Sequence, residues 1–191
     1  MPKRETGKIR IIAGRWRGRR LEVADKSGLR PTSDRIRETL FSWLSPLLQG
    51  ARCLDLYAGT GALGFEAASR GAGAVTLVEK DRDLVSKLDQ HVISLAAQAV
   101  VHTVHADAMT WLHRVQTAYD IVFLDPPFGG DSLDAVPQIL ETGLWLSAEA
   151  TIYLEMPTDR RADQLPANWQ VVREKTAGRV RFCLARRICS A

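Results

Sequence analysis

Arg52-Cys-Leu-Asp-Leu-Tyr-Ala-Gly-Thr-Gly-Ala-Leu-Gly64 decides how this 191-residue chain folds. Its first half is short and apolar and reads as a strand ending at Tyr57. Its second half holds Gly59, Gly61 and Gly64 in the spacing G-x-G-x-x-G and leads into a helical segment, Ala62 to Arg70. Glycines here let the backbone turn tightly against a ligand and let the helix approach the strand. Outward from this unit, strand-like and helix-like segments alternate. Strands are expected at 74–79, 100–104, 119–124 and 150–155, and helices at 82–97, 108–115 and 133–141. Such alternation specifies an α/β fold: a Rossmann-like, doubly wound, mostly parallel seven-stranded sheet with right-handed crossovers. Residues 169–173 and 179–184 are β-rich and joined by Thr176-Ala-Gly178 without a helix, so the sheet is expected to finish in an antiparallel hairpin.

In such sheets ligands bind beyond the carboxyl ends of the strands, where the strand order reverses. Several carboxylates stand at those ends. Glu79 closes the second body strand, where an acceptor for ribose hydroxyls belongs. Asp107 follows the third, placed to accept from an adenine amino group or to cap the helix that begins at Ala108. Asp55 precedes the glycine turn, where it would repel a pyrophosphate. A cationic partner suits it better, and S-adenosyl-L-methionine offers an ammonium and a sulfonium but no phosphate.

The run Tyr119-Asp-Ile-Val-Phe-Leu124 ends in Asp125-Pro-Pro-Phe128. A buried strand stopped by two prolines leaves a rigid shelf carrying a carboxylate, a carbonyl without a ladder partner and an aromatic face. That set suits a flat base with an amino group. Asp125, Pro126, Pro127 and Phe128 are therefore the candidate catalytic residues, although the same tetrapeptide could serve only as a strand-ending turn.

The charge is polarised. Residues 1–37 hold 12 Lys or Arg against 4 acidic residues, so this segment is +8, while the rest of the chain, with 14 basic and 18 acidic residues, is −4. A basic end on a mildly acidic body suits nucleic acid phosphates. Lys8-Ile-Arg-Ile-Ile12 and Arg19-Arg-Leu-Glu-Val23 read as two strands around a glycine-bounded turn, Ala13-Gly-Arg-Trp-Arg-Gly18. Lys8, Arg10, Arg15, Arg17, Arg19 and Arg20 would meet phosphates, and Trp16 at the tip would stack on a base. Arg30-Pro-Thr-Ser-Asp34 then leads into Ile36, Leu40, Phe41, Leu44 and Leu47 at helical spacing, with Thr32 or Ser33 as N-cap.

The hydrophobic content of 46% supports one sizeable core with room for an appendage. The expected division is a basic N-terminal extension at 1–30 and a body at 31–191. No apolar run reaches the length of about 18 residues that a membrane helix needs, and the start lacks the apolar core of a signal peptide, so a cytoplasmic protein is expected. Cys53, Cys183 and Cys189 are odd in number and lack paired spacing, and the four histidines form no metal pattern, so neither disulfide nor metal is expected.

The order Asp55-Leu-Tyr-Ala-Gly-Thr-Gly61, Glu79, Asp107, Asp125-Pro-Pro-Phe128 resembles the class I S-adenosylmethionine-dependent methyltransferases that modify exocyclic amino groups. Arg10-Ile-Ile-Ala-Gly14, Gly18-Arg-Arg-Leu21 and Arg30-Pro-Thr-Ser-Asp-Arg-Ile-Arg-Glu-Thr-Leu-Phe41 resemble, more narrowly, the RsmD family of bacterial 16S rRNA guanine-N2 methyltransferases, from about residue 8 to residue 187. The resemblance implies methyl transfer to N2 of one guanine, in the small ribosomal subunit or its assembly intermediate, by a monomer. It places the cofactor against Asp55, Tyr57, Ala58, Gly59 and Gly61 of the first loop, Glu79 and Lys80, Asp107 and Ala108, and Asp125. It also implies that a loop of Arg30, Pro31 and Thr32 closes over that cofactor. Three alternatives stay open on the residues alone: an adenine-N6 methyltransferase acting on DNA or RNA, an NAD-dependent oxidoreductase using the same glycine loop, and a non-enzymatic RNA-binding assembly factor.

Overall fold

The computed structural model describes residues 7–23, 32–114, 117–126, 132–159 and 165–188. The chain opens with an antiparallel pair, β1 (Lys8–Arg10) and β2 (Arg20–Glu22), in which Ile9 faces Leu21. Helix α1 (Asp34–Leu44) follows, capped by the Ser33 hydroxyl, and buries Ile36, Leu40, Phe41 and Leu44 along one face. The body then runs β3 (Arg52–Asp55), α2 (Ala62–Ser69), β4 (Ala74–Glu79), α3 (Arg82–Ser94), β5 (Val101–His105), α4 (Ala108–Trp111), β6 (Tyr119–Leu124), α5 (Ser132–Thr142), β7 (Leu146–Pro157), β8 (Trp169–Ala177) and β9 (Val180–Arg187).

The seven body strands lie in the order β5-β4-β3-β6-β7-β9-β8. The first five are mutually parallel, and β9 and β8 complete the sheet antiparallel, as the sequence leads one to expect. The chain moves outward from β3 through β4 to β5, then returns to lay β6 on the other side of β3. The order therefore reverses between β3 and β6, and the carboxyl ends of those two strands flank the crevice. Side chains from α1, α2 and α3 cover one face, with Phe41, Phe65, Leu77, Phe123 and Tyr153 in one apolar cluster. Val122, Leu124, Leu140, Trp145 and Leu154 cluster on the other. Coverage of both faces explains why the central strands read as continuous apolar runs rather than alternating ones. No helix among the described residues is long and apolar enough to cross a membrane.

The N-terminal strands are shorter than the sequence suggests, and the cause is a side chain 53 residues or more away. The backbone N–H groups of Ile12 and Ala13 donate to Glu66 Oε2 and Oε1 at 2.8 and 3.0 Å instead of extending the hairpin ladder. Glu66 lies in α2 with no exposure to water, and its carboxylate also accepts from Arg70 Nε at 2.6 Å and sits 3.5 Å from Arg37 Nη1. Arg37, 1% exposed, donates onward from Nη2 to the Arg10 carbonyl and to Asp34. At Gly14 the backbone has φ +84 and runs so close to α2 that a Cβ would lie 1.9 Å from the Ser69 carbonyl oxygen.

The same docking corrects one expectation. Trp16 does not stand at the tip as a stacking platform: it is 7% exposed and packs in the core with Ile11 and Leu21. Its backbone N–H donates to Ser69 Oγ, and Ser69 Oγ donates to the Ala13 carbonyl, which holds the turn against α2. With its ring taken up by packing, Trp16 anchors the hairpin.

Glu66→Ala strips the buried partner from Arg37, leaving it Asp34 and the Arg10 carbonyl, leaves two N–H groups unsatisfied, and is expected to cost on the order of 3–5 kcal/mol. Arg17→Ala, at an exposed position, should stay within about 0.5 kcal/mol. Denaturant titration checks the pair, and equal midpoints for the two variants would remove the claim that Glu66 holds the hairpin.

Candidate active site

The glycine turn is shaped from below by Asp55. Gly61 is the N-cap of α2 and has no side chain to offer, so the Asp55 carboxylate, arriving from the end of β3, accepts the Gly64 N–H at 3.0 Å in its place. Asp55 is 3% exposed and therefore supports the turn from beneath its surface. Two glycines have specific reasons to be glycine. Gly61 has φ +75, and a Cβ there would meet Phe65 and Leu88 within 2.7 Å; at Gly64 a Cβ would lie 2.1 Å from Leu77 Cδ2, on the strand under the helix. Ala58 is buried with its N–H on the Val78 carbonyl, and Tyr57 is half-buried.

Glu79 stands across from this turn. Its Oε2 accepts the Gly59 N–H and its Oε1 the Asp81 N–H, both at 2.8 Å, which fixes the carboxylate and ties β4 to the glycine loop. Each oxygen keeps a lone pair for a further donor. Lys80, next in sequence, is exposed. Asp107, also exposed, accepts from Thr110 N at 3.2 Å as N-cap of α4, and Ala108 behind it is buried. The capping role and the acceptor role expected for Asp107 are compatible, because the cap occupies one oxygen.

Asp125 and Pro126 follow directly on β6. Pro127 and Phe128 lie outside the described residues, as do Arg30 and Pro31. Asp125 Oδ2 accepts from the Thr32 hydroxyl at 3.2 Å, which brings the residue before the α1 N-cap onto the shelf from 93 positions away. Thr32 is 8% exposed, and Pro126 is buried. Sequence reasoning missed one neighbour. Glu155, near the end of β7, is a buried carboxyl whose Oε2 accepts from the Tyr153 hydroxyl at 2.8 Å. The rule that found Glu79, an acid at the carboxyl end of a parallel strand, applies to Glu155 as well.

Acids thus converge from β3, β4, β6 and β7 on one edge of the sheet. Burial pushes the Asp55 carboxyl up to about 7, with Asp125 and Glu79 adding to the rise against the Gly64 N–H. Burial also raises Asp125, opposed by the Thr32 hydrogen bond, and raises Glu155, with the charge of Asp125 adding to it. A site in which negative charge is this disfavoured suits a cationic occupant. Among the described residues, no group of three or more His, Cys, Asp or Glu is placed to hold a metal ion.

The basic side chains gather elsewhere, on the N-terminal pair and its loop. Lys8, Arg10, Arg15, Arg17, Arg19 and Arg20 are all exposed. Arg15 lies 5.8 Å over the Trp16 ring, Arg10 sits 3.8 Å from Asp34, and Arg19 reaches the Ser94 carbonyl at 3.1 Å.

The raised acid at Asp55 has a consequence for stability. Between its ordinary value, 3.8, and about 7, the folded protein holds a proton that the unfolded chain has released, so this group's contribution falls as pH rises through that window and levels off above it. Thermal melts of the protein alone from pH 4.5 to 7.5 should show Asp55→Asn gaining stability relative to wild type as pH rises. A difference between the two that does not change with pH would mean that Asp55 ionises normally.

A family model described as conserved hypothetical protein 95 matches residues 9–186. Ribosomal RNA small subunit methyltransferase D of Escherichia coli strain K12 is 47% identical over 182 residues, covering 95% of this chain and 91% of that protein. The protein of the same name from Haemophilus influenzae is 40% identical over 93% of each. A solved structure of a putative methyltransferase from Escherichia coli matches with a TM-score of 0.90 at 44% identity, over 95% of this chain and 99% of that one. An RNA methyltransferase from Salinibacter ruber, solved in complex with S-adenosyl-L-homocysteine, shares the fold at TM-score 0.62 and 16% identity, over 85% of this chain and 96% of that one. By its sequence along nearly its whole length and by its fold, this chain belongs to the ribosomal RNA small subunit methyltransferase D family, RsmD.

Proposed function

We propose that this protein transfers a methyl group from S-adenosyl-L-methionine to the exocyclic N2 of a guanine in 16S rRNA of the small ribosomal subunit. The observation that carries the reading is the Asp125-Pro126 shelf at the reversal point of the sheet, beside the Asp55-supported glycine turn. The family supports the RNA class, and the Salinibacter ruber protein, which has this fold and was solved with S-adenosyl-L-homocysteine, supports the cofactor.

The residues fit that cofactor. Gly61 and Gly64 let α2 pack closely on the sheet and so set the turn, Glu79 offers lone pairs to ribose hydroxyls, and Asp107 offers one to an adenine amino group. Tyr57, Ala58, Gly59, Lys80 and Ala108 complete the wall on this reading, with Thr32 beside Asp125. The acids from β3, β4 and β6 favour its positive charge. S-adenosyl-L-methionine, when bound, supplies an electrophilic methyl on a sulfonium.

The chain's own part is positioning. The N2 amine of guanine is a weak nucleophile because its lone pair is delocalised into the ring. The Asp125 carboxylate and the Pro126 carbonyl accept its two N–H bonds, which draws the nitrogen toward tetrahedral geometry and turns the lone pair toward the methyl. Pro127 stiffens this edge and Phe128 stacks on the base. These hydrogen bonds strengthen as positive charge develops on nitrogen, the situation in which preorganised acceptors contribute most. After transfer the nitrogen is strongly acidic, and Asp125 or water takes its proton. The base must leave its stack to reach the shelf.

The exposed arginines and Lys8 of the N-terminal pair hold RNA phosphates on this proposal, and Trp16 serves them only by fixing the loop. The division at residue 30 is then one of roles and not of cores, since Glu66 in α2 holds Ile12 and Ala13.

Asp125→Ala is expected to lower methyl incorporation into undermethylated small subunits by at least about a hundredfold, far more than it weakens binding of S-adenosyl-L-homocysteine. Retention of near wild-type incorporation would show that the shelf acceptor is dispensable. Arg15→Ala combined with Arg17→Ala should weaken RNA binding and flatten the slope of log affinity against log salt by about 0.7 per lost contact. An unchanged slope would place the RNA on a different surface.

A further inference from the structure

Resting on the guanine-N2 reading above, we infer that Glu155 is a specificity-determining residue of the base site: its carboxyl accepts the ring N1–H of guanine beside the amine held by Asp125 and Pro126.

The register puts it there. Strands β6 and β7 pair in parallel with Phe123 opposite Tyr153 and Leu124 opposite Leu154, so the next residues, Asp125 and Glu155, continue the same pairing direction. Side chains two apart along a strand share a face. Asp125 therefore follows the face of Phe123, and Glu155 that of Tyr153, and those two rings lie 6.4 Å apart on the side covered by α1. Neighbouring strands are about 4.8 Å apart, so two carboxyls at this step can meet adjacent atoms on one edge of a single base.

Packing accounts for only one oxygen of Glu155, which satisfies the buried Tyr153 hydroxyl. Glu155 is 7% exposed, and among the described residues no salt bridge reaches it and its one hydrogen bond, from Tyr153, occupies Oε2. Its other charged neighbour is Asp125, of the same sign, and burial and Asp125 together raise its acidity range to about 7. A buried carboxyl beside another carboxyl costs stability that a glutamine would spare. Such a cost is characteristic of a group placed to meet a ligand's donors. The Tyr153 hydroxyl fixes one oxygen and thereby aims the other.

Amine acceptors alone do not choose a base, because guanine and adenine both carry an exocyclic NH2. They differ at N1, which is a donor in guanine and an acceptor in adenine. Ionised, Glu155 accepts from the first and repels the second. In 2-aminopurine, the amine stays on C2 as in guanine, but N1 is a bare lone pair.

The test uses small subunits reconstituted with guanine or 2-aminopurine at the one position the protein modifies, with wild-type protein and Glu155→Gln. Gln is of equal size, removes a buried acid and can donate to N1 as well as accept from it, so this variant should melt no lower than wild type and bind S-adenosyl-L-homocysteine equally well. Wild type is expected to prefer guanine over 2-aminopurine by at least about tenfold, and Glu155→Gln to bring that ratio down about tenfold, mainly through a gain on 2-aminopurine. The variant-to-variant comparison isolates Glu155, since both substrates lose or keep O6 equally for the two proteins. An unchanged ratio in Glu155→Gln, or a wild-type ratio near one, overturns the inference while leaving guanine-N2 methylation standing. Absence of N2-methylguanine from the wild-type product on the guanine subunits would instead overturn the underlying function, and the role of Glu155 with it. Should Glu155→Gln melt early, Tyr153→Phe, which frees the carboxyl to turn, reads the same ratio, and no fall in that ratio counts against the inference.

Discussion

A carboxylate with no access to water, that of Glu66, joins the parts of this molecule that must act together. It accepts from two backbone N–H groups of the N-terminal loop and from Arg70, and it faces Arg37 of α1. A buried charge of this kind is tolerable only when fully partnered, so the hairpin, α1 and α2 form or fail as a unit. The glycine turn opens α2, Thr32 precedes α1 and reaches Asp125, and the exposed cations ride on the hairpin. The exposed cationic surface of the hairpin is thereby fixed relative to the crevice at β3 and β6.

The crevice itself is built from disfavoured negative charge. Asp55, Asp125 and Glu155 are each raised, first by burial, and neighbouring acids raise Asp55 and Glu155 further. In a protein with a net positive sequence charge this local excess of acid is a local design, bought at a cost in folding stability. On the proposed reading, a cationic cofactor relieves part of that cost and a base rich in donors relieves more. The two ligands then favour each other through the acids they share.

The sheet was legible in the sequence because its signals are local. Gly59, Gly61 and Gly64 mark one turn, apolar runs mark each strand, and the missing helix between 173 and 179 marks the antiparallel end. Glu79, Asp107 and Asp125 could be read from position alone, since each follows a strand whose end is clear. What could not be read depends on contacts distant in sequence. Trp16 among arginines looks like a stacking ring, and only Ser69 and the core around Leu21 show it buried. Glu66 looks like a solvent-facing helix residue until the hairpin covers it. Asp55 reads as a ligand carboxylate, yet it also stands in for the missing cap at Gly61, a role visible only once β3 and α2 are adjacent. Glu155 had a readable position, but its meaning required knowing that β7 lies next to β6.

The most direct measurement is the identity of the product. Small subunits from cells lacking this protein would be incubated with it and methyl-labelled S-adenosyl-L-methionine, digested to nucleosides and analysed by mass spectrometry. The expected result is label in N2-methylguanosine, at one residue per subunit. Label in N6-methyladenosine, or none in RNA, would contradict the assignment of the Asp125-Pro126 shelf to a guanine amine.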